Sequence, residues 1–179
     1  DLFIDTVWDT APMLNIRPEV PFGQFCDETN VGKSDYWKKN KNPGGLRITY
    51  SGEVSNTWAS GHTAALGMLH RLCLYIHGND NNFAANVQYD PAPEEVGKAG
   101  YLGIAKKLAD LSGRWAENRN YAKQIVENHL NVAFPAGSDT QGTAPVVPIG
   151  VPPVAEVVFG RVPHPAFLDH PISKANGQG

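Results

Sequence analysis

Proline divides this chain. Eight of its fourteen prolines fall in residues 135–179, within runs such as APVVPIGVPPV and VPHPAFLDHP. A residue with fixed φ and no amide proton cannot continue a helix. Residues 135–179 are therefore expected as an extended arm, with one edge strand over 154–159. An arm this apolar is expected to lie across a partner chain or its own core. Upstream, Pro12, Pro18, Pro21 and Pro43 interrupt residues 1–59. That segment is expected to be irregular and loop-rich, with a turn at NKNPGG before a short strand-like stretch from Leu46 to Tyr50.

Between these regions the apolar residues take up helical spacing. Ala64, Ala65, Leu66, Met68, Leu69, Leu72, Cys73 and Ile76 recur at three- and four-residue steps, and Gly78-Asn79 supplies a stop, so the pattern predicts a helix over 60–77. From Glu94 to Phe134, Val96, Leu102, Ile104, Ala105, Leu108, Leu111, Trp115, Ala122, Ile125, Val126 and Leu130 keep a similar rhythm. This predicts two helices divided near Ser112-Gly113. The expected fold class is mainly α: a helical bundle-like core over 1–134, a loop-rich N-terminal segment within it, and an extended Pro-rich arm over 135–179. A chain of 179 residues has the length for one ordinary core.

Charge narrows the partners. A net charge of −3 gives no general attraction to phosphate backbones or anionic lipid, and the only basic cluster, Lys38-Lys39-Asn40-Lys41, reads as a solvated loop. Nucleic acid is not an expected partner. No run of 18 apolar residues exists, so no membrane-spanning helix is expected. Cys26 and Cys73 stand in unrelated contexts and are expected as separate, buried or half-buried thiols. A chain beginning at Asp1 fits a matured secreted protein, a proteolytic piece or a trimmed one; a secreted or periplasmic location is the favoured expectation.

Six histidines invite a metal, but His62, His70 and His77 lie eight and seven residues apart on one predicted helix. Neighbours are then separated by roughly 10–12 Å along the axis, too far for one zinc ion. His164 and His170, with Asp169, form a weaker candidate in the arm. A serine-hydrolase reading fails because no Gly-x-Ser-x-Gly elbow occurs. The informative stretch is Asn56-Thr57-Trp58-Ala59-Ser60-Gly61-His62-Thr63. A helix N-terminus offers unpaired amides and the positive end of the helix dipole, Gly61 presents no side chain to an approaching anion, and His62 could donate a proton. The same residues also make an ordinary helix start, with Ser60 or Thr57 as cap.

Trp58-Ala59-Ser60-Gly61-His62-Thr63 resembles the aromatic-Pro-Ser-Gly-His-Thr motif of the type 2 phosphatidic-acid phosphatase superfamily, which includes class A acid phosphatases and vanadium haloperoxidases. Ile16-Arg17-Pro18 resembles that family's Arg-Pro motif. The stretch LADLSGRWAENRNYA, Leu108 to Ala122, is similar to the start of its third motif. The resemblance implies a helical fold and an anion pocket in which Arg17 and Arg119 clamp a phosphate or vanadate, Ser60 and Gly61 contact it, and His62 acts as general acid. Vanadate is the cofactor it implies, and a small phosphorylated compound the substrate. The sequence departs from the family at four places: Thr10 stands where a lysine is expected, Ala59 where a proline is expected, Ile125 where the nucleophilic histidine is expected, and His129 where the Asp that orients the nucleophile is expected.

Two functions follow as expectations. One is a phosphate- or vanadate-binding protein, either a soluble phosphomonoester hydrolase or a haloperoxidase relative. The other is a non-catalytic structural or interaction subunit, with the Pro-rich arm laid on a partner chain in an oligomer.

Overall fold

Ser60 opens the central helix of this protein by a reciprocal cap. In the computed structural model, which describes residues 2–46, 57–80 and 89–135, the Ser60 Oγ accepts from the Thr63 amide at 3.2 Å, and the Ser60 amide donates to the Thr63 Oγ1 at 3.2 Å. The helix runs Gly61–His77 and stops at Gly78, whose φ of 65° suits glycine. This helix, α4, is buried on most sides, with Ala64, Ala65, Met68, Leu69, Leu72 and Cys73 all fully excluded from solvent. The periodicity of the sequence is here realised as predicted.

The N-terminal region differs from its loop-rich expectation. It forms three helices, α1 (Leu2–Thr10), α2 (Glu19–Glu28) and α3 (Asp35–Asn40). The prolines permit this because of where they stand. Pro12 opens a short 3-10 turn, Pro12–Leu14. Pro18 is the cap residue of α2, and Pro21 lies in its first turn, where no intrahelical amide bond is lost. Pro43 comes after α3 has ended at Lys41, a left-handed residue. The segment 2–14 runs along α4 in the same direction: Thr6 bonds His62 near one end, and the Leu14 carbonyl meets the His77 ring near the other. Helix α2 turns back along α1, so Phe22 packs on Trp8 and Phe25 on Phe3.

The region from 94 onward also departs from expectation. Helix α5 is only Glu94–Lys98, and the next helix, α6, begins at Tyr121 (Tyr121–Ile125), followed by a wider π turn, Val126–Leu130, and a last helical turn, α7, Asn131–Ala133. Between them the chain turns at Gly100, Gly103 and Gly113, all with φ near 70° (74°, 69° and 73°). Ala105, Leu108 and Leu111 are nonetheless buried. Leu108–Leu111 forms only a short 3-10 helix, not the expected α-helix. This irregular stretch has a use: the Gly103 and Ala105 amides donate to the Leu74 and Tyr75 carbonyls, satisfying the end of α4.

Two buried clusters share α4. One gathers Phe3, Val7, Phe25, Trp37, Trp58 and Met68, and the other gathers Leu14, Ile16, Leu69, Leu72, Leu108 and Ile125, among others; Phe22 and Trp115 pack on both. The described residues contain no strand; an isolated bridge pairs Ser112 with Ala116, and the fold is mainly α. No helix among them is long and apolar enough to cross a membrane. Cys26 and Cys73 are both buried and unbridged, and burial pushes their thiols up to about 11 and about 12. Residues 47–50 of the expected strand, the arm beyond Pro135, its strand at 154–159, and His164, Asp169 and His170 lie outside the described residues.

One contact tests this packing. Trp58 Nε1 donates to the Tyr89 carbonyl at 3.0 Å over Gly67, and a Cβ on Gly67 would stand 2.7 Å from that nitrogen and 2.8 Å from that oxygen. Alanine's better helix propensity, worth about 1 kcal/mol, is outweighed. Gly67→Ala is expected to lower stability by about 1–3 kcal/mol in urea unfolding, whereas Gly97→Ala in α5, whose nearest neighbour is a Leu102 methyl at 3.4 Å, should be tolerated.

Candidate functional site

The start of α4 places three of the predicted site residues together by chain connectivity: Ser60, Gly61 and His62. Ser60 spends its hydroxyl on the cap, and Thr63 returns the bond. Gly61 is buried, and His62 is exposed. No described residue accepts from the amides of Gly61 or His62, which are first-turn donors of a seventeen-residue helix.

The His62 ring is fixed from α1. Its Nδ1 lies 2.9 Å from Thr6 Oγ1, whose hydroxyl is also 2.6 Å from the Leu2 carbonyl. A hydroxyl has one proton. With that proton given to Leu2, the imidazole donates from Nδ1 to Thr6, and Nε2 is the nitrogen left to accept or to carry a second proton. Thr6 was not singled out from the sequence. It stands 56 residues away, and no local pattern joins it to His62.

The arginines have other positions. Arg17 lies in the turn between α1 and α2, where its guanidinium pairs with Glu19 at 3.2 Å. That turn follows Leu14, whose carbonyl meets His77 fifteen residues beyond His62, a distance of about 22 Å along the helix axis. Arg119 is exposed, on the turn preceding α6, with no described acceptor for its guanidinium. No hydrogen bond or ion pair among the described residues joins Arg17 or Arg119 to Ser60, Gly61 or His62. Ile125, at the place of the expected nucleophile, is wholly buried in the apolar core. Its Cγ2 fills the space where a Gly23 Cβ would stand, at 2.6 Å.

The other two histidines of α4 are structural. The Asp90 amide donates to His70 Nδ1 at 3.4 Å, and His77 Nε2 meets the Leu14 carbonyl at 2.7 Å. Between them Arg71 holds the buried Asp90 carboxylate by two bonds, 2.7 and 2.9 Å, and also reaches the Ala92 carbonyl and Glu95. This tie fastens the 89–95 segment to α4. Among the described residues no group of three His, Cys, Asp or Glu is placed to hold a metal ion.

Comparison with known proteins identifies no kin. No family model fits the chain, and no curated protein and no solved structure matches it.

A second polar cluster lies between α2 and α6, and sequence reasoning missed it. Tyr121 donates to Glu28 Oε1 at 2.8 Å and accepts from Gln24 Nε2 at 3.2 Å. Asp27 Oδ1 accepts from Gln124 at 3.0 Å and lies 3.2 Å from His129 Nε2. The paired positions are 93 to 102 residues apart, beyond any motif spacing. Helix α6 begins at Tyr121, and the His129 ring beyond it is turned to Asp27.

The α4 start gives a direct stability test. Ser60→Ala removes one half of the reciprocal cap, and is expected to cost about 1 kcal/mol. Chemical denaturation should show the loss, with helix content by circular dichroism nearly unchanged in the folded baseline.

Proposed function

We propose that this chain is a binder of small oxyanions, phosphate or vanadate, with the start of α4 as its recognition point. One observation carries the reading: an exposed histidine whose Nδ1 is held by Thr6, so that Nε2 projects from the first turn of a seventeen-residue helix with unclaimed amides. A helix N-terminus favours negative charge within its first turn, by about 0.3–1 kcal/mol for an exposed group, and a protonated imidazole adds a charge-assisted hydrogen bond. The order of the Arg17-Pro18, Ser60-Gly61-His62 and Asn118-Arg119 segments, similar to that of the type 2 phosphatidic-acid phosphatase superfamily, supports the same ligand class. In this reading Arg119, exposed and without a described acceptor, is the guanidinium available to an anion, and Arg17, paired with Glu19 near the other end of α4, takes no part.

Turnover is not part of the proposal. Phosphoryl transfer through a histidine needs a nucleophile opposite the leaving group, and position 125 holds an isoleucine inside the core. A second reading, a non-catalytic subunit that binds a partner chain, is favoured by exposed apolar side chains: Leu2 is 62% and Val132 74% exposed.

Titration with orthovanadate and with phosphate, followed by vanadium-51 and phosphorus-31 NMR and by shifts of the Gly61 and His62 amides, distinguishes the two. Binding in the millimolar range or tighter is expected, weakened at least about fivefold, or roughly 1 kcal/mol, in His62→Ala. p-Nitrophenyl phosphate should not be hydrolysed. If neither anion moves the Gly61 and His62 amides, the anion reading is wrong, and a concentration-dependent dimer would favour the subunit reading.

A further inference from the structure

The α2–α6 cluster has the arrangement of a switch. Asp27 and Glu28 are consecutive on the last turn of α2, and the four side-chain bonds described above tie them, with Gln24, to α6 and the π turn. The π turn makes this possible. Gln124 and His129 are five residues apart, which on an α-helix would leave them about 140° out of phase. A segment whose hydrogen bonds span five residues brings both to one side, where they meet the same Asp27 oxygen.

We propose that this seam is a proton-operated latch: a neutral Glu28 holds the π turn and α7 against α2, and a charged Glu28 beside a charged Asp27 loosens them. The groups acting on Glu28 are Tyr121 from α6, Asp27 from its own helix, and the neutral Trp115 from the 112–116 turn. Asp27 in turn faces His129 from the π turn and the neutral Gln124 from α6. Lys123 and Glu127 pair with each other at 3.9 Å on the exposed side. Asp5 and Asp9 of α1, which also packs on α2, are not among the groups acting on Glu28.

Burial pushes the Glu28 carboxyl up to about 7 from the usual carboxylate range; the Tyr121 hydrogen bond opposes this, the Asp27 charge adds to it, and the Trp115 indole opposes it. The folded protein therefore keeps this proton to higher pH than the unfolded chain. Stability falls as pH rises from about 4.5 to about 7 and is flat from this group above that. Phe134 follows α7 and packs on Trp8 and Phe22. Release of α7 thus uncovers an aromatic face and alters the Trp8 surroundings.

Amide hydrogen exchange and carbon-13 NMR of the Glu28 carboxyl, from about pH 5 to pH 8.5, test the latch. After correction for intrinsic exchange, amides of 129–133 are expected to lose about tenfold in protection as pH rises from about 5 to about 7, with no further loss above that, while those of α4 do not. Glu28→Gln, which keeps an acceptor without a charge, should remove that local change. The carboxyl of the wild type should titrate near 7. Titration near the ordinary carboxylate value, equal loss of protection in α4, or an unchanged pH response in Glu28→Gln would each overturn the proposal. The wild-type titration and exchange decide the matter even if the variant does not fold.

Discussion

Burying α4 on nearly every side obliges its polar side chains to find partners inside the protein. A helix enclosed in this way leaves buried His70 and half-buried Arg71 and His77 little access to water, and an unpaired buried donor costs about 1–3 kcal/mol. Two segments answer them. The Asp90 amide meets His70, the Asp90 carboxylate meets Arg71, and the Leu14 carbonyl meets His77. The segments 12–16 and 89–105 are thereby fixed on α4 although they contain little regular structure. The last carbonyls of α4 recruit Gly103 and Ala105 by the same logic. The irregular parts of the protein are ordered by the demands of the regular one.

That dependence explains what could be read from the sequence. Helix α4 was legible because its apolar period, its Ser60 cap and its Gly78 stop are all local. The N-terminal helices were hidden by prolines, which count against a helix only when they fall beyond its first turn; Pro18 and Pro21 fall at or within it. Residues 94–134 misled in the other direction. Leu108 and Leu111 are buried at helical spacing, yet glycines at positive φ turn the chain on either side and leave only a short 3-10 helix between them, wrapped on the end of α4. Of the candidate site, Ser60-Gly61-His62 was legible as a helix start. Thr6 against His62, and Tyr121 against Glu28, depend on which helices lie side by side, and no residue spacing encodes that.

The two polar regions differ in how their charge is held. At the α4 start the ring of His62 is oriented by one neutral hydroxyl and is otherwise open, an arrangement suited to a ligand that brings its own charge. In the α2–α6 seam the charge belongs to the protein, and wholly buried Gln24 leaves its Oε1 without a partner among the described residues. A seam built for stability alone would favour apolar residues of similar volume over adjacent acids, because desolvating charge costs more than pairing it returns. Retaining Asp27 and Glu28 there makes the fit between α2 and α6 conditional on protons.

The apolar part of the same seam sets the limit of that condition. Gly23 lies one residue before Gln24 on α2, and the missing Cβ lets Ile125 and Leu130 approach to 2.6 and 3.0 Å of its place. These contacts bury methyl groups and do not titrate. Ile125 lies at the end of α6, upstream of His129, so the start of the π turn stays packed whatever the charge on Glu28. Leu130 is buried beside the same glycine, whereas Asn131, Val132 and Ala133 are exposed and held chiefly through their neighbours. A loosened latch therefore works outward from His129 through α7 to Phe134. The side chain that makes position 125 unfit for a histidine nucleophile is also the anchor that confines the response to the last turns of the helix.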